Sequence, residues 1–392
     1  VKLFRTLSTP RLVVLAGAVV IALVAATFAV AARGGGGATP PPKPLANAIH
    51  DALGANEPAG VTARITFTNK LFPSGALTGQ AGSALMSGAT GRLWANADGG
   101  RLELQSDAGD AQIVWTQSKV TVYDATSNTA YVADLPAKTG TDSGTKSVPG
   151  LDQITSFLTE LAKHWTVSGA QPTNVAGEPA YSARISPSHD GGLLGSAELA
   201  WDAAQGVPLK IAVYAQGSSA PVLGLEATKI SFGAVSASDI TVTPPAGAKI
   251  VDLSSQAGSS STGGKDGSPV TGLAAVQAAA PFVVVAPDTL VGLPRRDVRL
   301  VGPSDSKSVL VVYGQGLGAV LVVERKPDAS TTSGSSGGML DALPSISLDG
   351  VTAHELATQL GTVLTWDRAG ISYALAGSVS PSAAESAARS LK

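Results

Sequence analysis

Between Gly91 and Pro136 the chain alternates with a period of two, and a polypeptide with that pattern has few folds open to it. The stretch reads GRLWANADGGRLELQSDAGDAQIVWTQSKVTVYDATSNTAYVADLP. Leu102 and Leu104 flank Glu103, Ala111, Ile113 and Trp115 fall on one face, Val120 and Val122 flank Thr121, and Ala130 and Val132 flank Tyr131. Turn formers collect between these segments, at Asp98–Gly100, Asp107–Asp110 and Asp124–Asn128. Such alternation puts one face in a core and the other toward water, and a repeat of about ten residues per strand describes an antiparallel meander. The apolar face of that meander needs a cover, and the nature of the cover decides what the protein can bind.

Composition removes several function classes. The net charge is −2 with no basic stripe, so nucleic acid is not an expected partner. The chain has no cysteine, which excludes disulfides, thiolate metal sites, cysteine nucleophiles and an N-terminal lipid-modified cysteine. Its four histidines (His50, His164, His189, His354) are scattered and never spaced i, i+4, so no metal site is expected. Gly334–Gly338 matches G-x-S-x-G but lacks the strand before and the helix after that a nucleophile elbow needs. Gly314–Gly318 precedes an apolar β-like run instead of a helix, which argues against a dinucleotide loop. No catalytic residue, metal or cofactor is expected, and the chain does not read as an enzyme.

At 392 residues there is room for two domains with accessories. Residues 1–33 form the first unit: Lys2, Arg5 and Arg11 precede an uncharged run from Leu12 to Ala32, long enough to span a bilayer. The basic flank predicts a cytoplasmic N-terminus, hence a single-pass cell-membrane protein with its bulk outside the cytoplasm. Ala29-Val30-Ala31 also fits a signal cleavage site, so an uncleaved anchor and a cleaved signal both stand. Residues 34–44 are a Gly/Pro linker. The spacing predicts a first domain over 45–252, a low-complexity linker over 253–272 and a second domain over 273–392.

In the first domain, helices are expected at Leu45–Leu53, stopped by Gly54, and at Leu151–His164, with Leu151, Ile154, Phe157, Leu158 and Leu161 as an apolar stripe. Both helices are expected to cover the meander. Strands are expected at Val61–Asn69, Ala180–Ile185, Ser196–Trp201, Leu209–Tyr214 and Leu223–Phe232, and Pro244–Gly247 as a turn that ends the sheet. In the second domain the pattern predicts strands at Phe282–Val285, Val298–Val301, Val309–Val312, Val320–Glu324, Ile346–Leu348, Val363–Trp366 and Ile371–Leu375. Helices are expected at Thr352–Leu360 and Ser382–Leu391, capped by Thr352 and by Ser380 or Ser382.

The order helix, strands, GRLWANADGGRLELQSDAGDAQIVW, VTVYD, NTAYVADLP, helix, strands and finally ITVTPPAGAKIVDL (Ile240–Leu253) resembles the LolA-type lipoprotein carrier fold, shared with the sensor RseB. Residues 273–392 resemble the small C-terminal domain of RseB-like proteins through their hairpin, the Asp349-Gly350 turn, Leu364–Trp366, Ile371–Leu375 and the final helix. The resemblance implies an α+β protein with an N-terminal transmembrane helix, a LolA-like incomplete antiparallel β-barrel covered by helices, and a small α+β C-terminal domain. It implies a lumen for acyl chains, for which Trp94, Leu102, Leu104, Ile113, Trp115, Val122, Val132, Phe157, Leu158 and Leu161 are the candidate lining. It places on Arg101 the arginine that ties the covering helices down, although a solvated strand arginine fits the same position. The same apolar residues would equally pack a dry core, and periodicity does not separate the two. Two functions follow: a membrane-anchored binder of lipid or lipoprotein acyl chains, or an RseB-like regulator of envelope state. The regulator would bind an anti-sigma factor or other membrane protein through residues 273–392.

Overall fold

A computed structural model of the chain describes residues 38–392 except 57, 72–83, 136–147, 190, 255–269, 303–306 and 328–342. The expected membrane span at 12–32 lies outside these residues, as does the Gly334–Gly338 motif. Among the described residues no helix is long and apolar enough to cross a membrane. The chain is mostly sheet with few helices.

The first sheet begins after α1 (Leu45–Gly54) with β1 (Val61–Asn69) and the short α2 (Ala84–Ser87). The meander follows as β2 (Ala89–Asn96), β3 (Gly99–Ser106), β4 (Gly109–Thr116), β5 (Lys119–Asp124) and β6 (Thr129–Asp134). Helix α3 (Leu151–Leu161) leads to β7 (Trp165–Val167), β8 (Gln171–Val175), β9 (Glu178–Pro187), β10 (Leu194–Asp202), β11 (Pro208–Ala215) and β12 (Leu223–Phe232). A last pair of elements, α4 (Ala237–Ile240) and β13 (Lys249–Asp252), completes it. The strand order is β13-β6-β5-β4-β3-β2-β1-β12-β11-β10-β9-β7, with β8 also on β9. The Pro244–Gly247 turn therefore does not end the sheet. It carries the chain across to the far edge, where β13 pairs parallel with β6 and covers hydrogen-bonding groups that would otherwise be open.

Residues paired across an antiparallel ladder share a face. Leu93, Leu102, Ile113, Val122 and Tyr131 form one row, and Trp94, Arg101, Val114, Thr121 and Val132 form the adjacent row on the opposite face. The first row enters a core that also contains Val175, Ala180, Ala200, Val207, Leu209 and Ile230 from the other half of the sheet. A flat sheet could not bring these together, so the sheet curls into a half-barrel. Register shifts at Arg64/Ile65 and within the β10–β11 pair supply local bends. The meander is covered by this curl and by α2, whose Ala84 and Leu85 are fully buried against β1, β3 and β4.

This corrects the expectation that the two longer helices cover the meander. Helix α1 sets Leu45, Ala48 and Ala52 against Tyr181 and Trp201 of β9 and β10, and α3 packs on α1 and β7. Gly100 shows how closely the meander's own core is fitted. Trp115 lies across it in the row Ala95, Gly100, Trp115, Val120, and a Cβ on Gly100 would stand 2.2 Å from the indole ring. Gly100→Ala is expected to lower stability by about 1–3 kcal/mol in urea denaturation. An unchanged midpoint would show that the ring does not need this seat.

The second sheet follows α5 (Leu273–Ala279) and comprises β14 (Thr289–Leu290), β15 (Leu293–Val301), β16 (Ser308–Tyr313), β17 (Val320–Arg325), β18 (Ser345–Leu348), β19 (Val351–Thr358), β20 (Gly361–Arg368) and β21 (Ile371–Gly377). Its order is β14-β15-β16-β17-β21-β20-β19-β18. Helix α6 (Pro381–Ser390) buries Ala384, Ala387 and Ala388 on it, with the C-cap Leu391 buried after it and Ser380 accepting from the Ala383 N–H as N-cap. Two expectations fail here. Thr352–Leu360 is not a helix: Asp349 and Gly350, at φ 51° and 89°, make a two-residue hairpin turn that lays β19 between β18 and β20. Phe282–Val285 is not a strand: it lies between Pro281 and Pro287, which lack N–H donors, and has no ladder partner. The two units touch through loops, Leu193 N–H donating to Ser378 Oγ at 2.9 Å and Gln359 Nε2 to the Lys70 carbonyl at 3.3 Å.

Candidate binding surfaces

Of the ten candidate lining residues, five come together. Leu102, Leu104, Ile113, Trp115 and Val122 all enter the first core and are buried. Trp94 and Val132 stand on the opposite face of the sheet, because their ladder row is one residue out of phase with Leu102. Phe157 is 64% exposed on α3, and Leu158 and Leu161 are partly buried there, apart from the core. An open lumen would leave its wall accessible to a water-sized sphere. Leu104 and Ile113, and Ala84 and Leu85 of α2, expose 0%, so the space they surround is filled.

Arg101 is on the outer face. Its guanidinium stacks on Trp94 at 5.1 Å, pairs with Glu103 and donates to the Asp239 carbonyl at 3.4 Å. It ties down α4, not α1 or α3. A four-residue helix without an apolar period leaves no trace in the sequence pattern, which is why this partner was not anticipated.

An open groove of about 710 Å³ lies on the second domain. One wall is the unpaired segment Pro281, Phe282, Val283 and Val285, and the other is the β20–β21 turn from Arg368 to Ile371 with Tyr373. Val283 is 84% exposed, although Val284 beside it is buried. Lys326, Arg368 and Lys392 stand around this apolar surface with Asp349, three cations to one carboxylate. Arg368 also holds the wall in place, donating to the carbonyls of Leu391 at 2.8 Å and Leu348 at 3.1 Å. The two prolines bracketing five apolar residues, Phe282 to Ala286, were the available sequence signal for this groove.

Beneath the Val285 wall sits Glu324, on the inward row Val309, Glu324, Tyr373, Trp366, Ala353. Its carboxylate is wholly buried, and Oε2 accepts the Val285 N–H at 3.1 Å. Oε1 has no hydrogen-bond partner, and neither has Nε1 of Trp366, which stacks on Tyr373 at 5.1 Å. Burial pushes the Glu324 carboxyl up to about 7 against the opposing effect of the Val285 N–H, and burial also raises the Tyr373 phenol, with the Glu324 charge adding to it. Among the described residues no group of His, Asp and Glu converges as a metal site, and His189 is an exposed loop residue.

No protein-family model matches the chain, and no curated protein matches it. Among solved structures, the chain is similar to MucB in complex with MucA(peri), with 14% identity, 88% of this chain and 96% of that chain covered, and a TM-score of 0.40. It is similar in the same way to the Pseudomonas aeruginosa MucA/MucB complex, with 14% identity, coverage of 87% and 95%, and a TM-score of 0.40. An uncharacterized conserved protein from Thermus thermophilus matches with 13% identity, 53% of this chain and 98% of that chain covered, and a TM-score of 0.33.

Proposed function

We propose that this chain is an RseB-like binding protein, held outside the cytoplasm by residues 12–32, whose second domain captures a segment of a membrane protein of the anti-sigma factor class. The observation that carries this reading is the groove beside Val283. It combines an exposed apolar wall with a cationic rim, and it suits an extended segment that carries apolar side chains flanked by carboxylates. The resemblance of residues 273–392 to the RseB C-terminal domain points to the same half of the chain. Carriage of acyl chains, the alternative, has less support, because its candidate lining is half dispersed and the five residues that do converge are packed without space.

A photocrosslinker placed at Val283 in the full chain is expected to recover one dominant membrane protein from the envelope. Val283→Asp is expected to weaken that capture by about tenfold or more, as loss of a central apolar contact does, with no change in melting temperature. Capture at wild-type strength by the variant would remove the groove from the interface. Lipid retained by the natively purified full chain, seen by mass spectrometry, would favour the carrier reading instead.

A further inference from the structure

The segment ahead of α1 is clamped onto the first domain. Asn174 Nδ2 donates to the Ala38 carbonyl at 3.4 Å, and Tyr181 Oη donates to the Pro41 carbonyl at 2.6 Å. Lys43 pairs with Asp51 at 2.7 Å and stands 5.2 Å from the centre of the Tyr181 ring. The uncharged run ends at Ala32, so Ala38 is six Cα steps away, about 20 Å even at full extension. Helix α1 begins seven residues after Ala38 and two after Lys43, and is itself only about 15 Å long. Its far end therefore stays close to wherever that run is held.

At that end the surface is apolar. Leu53 lies in the last turn of α1 and Leu151 opens α3, and both are exposed. Val148 joins them, a Cβ on Gly54 standing only 3.8 Å from its methyls. Farther along α3, Phe157 is the most exposed side chain of the stripe, and of the five stripe residues only Ile154 is buried. A helix normally spends such a stripe on a core, and here Leu151 and Phe157 are left outside on either side of the buried Ile154, as large apolar side chains at an interaction site are. Beside it, Glu160 pairs with Lys163 on the next turn and Asp152 stands exposed next to Leu151, so no excess of cations calls for an anionic partner.

We propose that this α1–α3 surface lies on the bilayer that residues 12–32 enter, with Leu53, Leu151 and Phe157 in the interfacial layer. The proposal rests on the reading of residues 12–32 as an anchor. Its occupant follows from the tether. A clamp six steps from an inserted segment keeps the α1–α3 surface at high local concentration beside lipid, so a weak interfacial affinity is enough to hold it there. Phe157, in the middle of α3 and 64% exposed, is a large apolar side chain that can enter the interfacial layer.

The chain has no cysteine, so single cysteines can report on this surface. The full chain carrying Phe157→Cys labelled with an environment-sensitive dye is reconstituted at low protein-to-lipid ratio in phosphatidylcholine vesicles containing a lipid-borne quencher. The dye is expected to shift to the blue and to be quenched at least about threefold more than the same dye at Val283→Cys, as interfacial burial of one site and not the other requires. In a chain carrying Leu53→Cys, adding Phe157→Asp is expected to abolish the quenching while the melting temperature holds, since the site is exposed. Carbonate extraction separates the two readings. A chain that stays with the vesicles but whose dye at 157 is not quenched overturns the docked surface and leaves the anchor standing. A chain that is extracted overturns both. A dye that shifts to the blue without lipid quenching assigns the surface to a protein partner or a second copy and overturns the proposal.

Discussion

Leu104→Asp is expected to unfold the first domain, costing about 4 kcal/mol or more. Leu104 is fully buried in the curl, beside Ala111 on the neighbouring strand. An aspartate there would be a carboxylate without water or a partner. Leu104→Ala is expected to cost about 2–5 kcal/mol, the range for a truncated core leucine whose surroundings relax only in part. Both effects are read from urea denaturation of the full chain followed by tryptophan fluorescence and near-UV circular dichroism. The pair also tests what the meander's apolar face is for. If Leu104 lined a lumen open to water or ligand, aspartate would leave the midpoint nearly unmoved and act on ligand uptake alone. A wild-type midpoint in Leu104→Asp would therefore overturn the filled core and return the acyl-chain reading to first place.

The second large effect is a pH dependence of the second domain. The Glu324 carboxyl, ordinarily near 4.5, is pushed up to about 7 by burial. Between these values the folded protein holds a proton that the unfolded chain has released, so stability falls as pH rises through the window. The contribution is complete below about 4.5 and fully lost above about 7, a difference of about 3 kcal/mol for roughly 2.5 pH units. Glu324→Gln is expected to remove the dependence. Its amide can still accept from the Val285 N–H, and it has no charge to desolvate at pH 8. The variant should be more stable than wild type by about 2–3 kcal/mol at pH 8 and close to it at pH 5. The check is a denaturation series at both pH values. A wild-type stability that rises from pH 5 to pH 8, or a variant weaker than wild type at pH 8, would show that the carboxylate has a partner in solution. Because the Val285 bond ties down the groove wall, the same series reports how firmly that wall is held.

Much of the fold was legible locally. Period two located the meander and the β9–β12 strands, and the Asp349-Gly350 pair marked its turn. Ser380 announced α6. The failures are of one kind. Thr352–Leu360 carries helix-compatible residues, yet a left-handed two-residue turn and ladder partners on both sides make it a strand. Phe282–Val285 has strand composition, but its bracketing prolines keep it out of a ladder. Trp94 and Val132 look as apolar as their neighbours, and only the register shows that they point away from Leu102.

By itself, then, the sequence determined an antiparallel, half-buried sheet and the absence of thiol chemistry, because each of these depends on residue type and spacing along the chain. Tertiary structure alone decided what covers the meander, which face holds Arg101, that α3 leaves Phe157 outside, and that Glu324 loses its water. These depend on which distant segments meet. Curling the sheet brings β8–β12 over β1–β5, and no local pattern encodes a contact between strands a hundred residues apart.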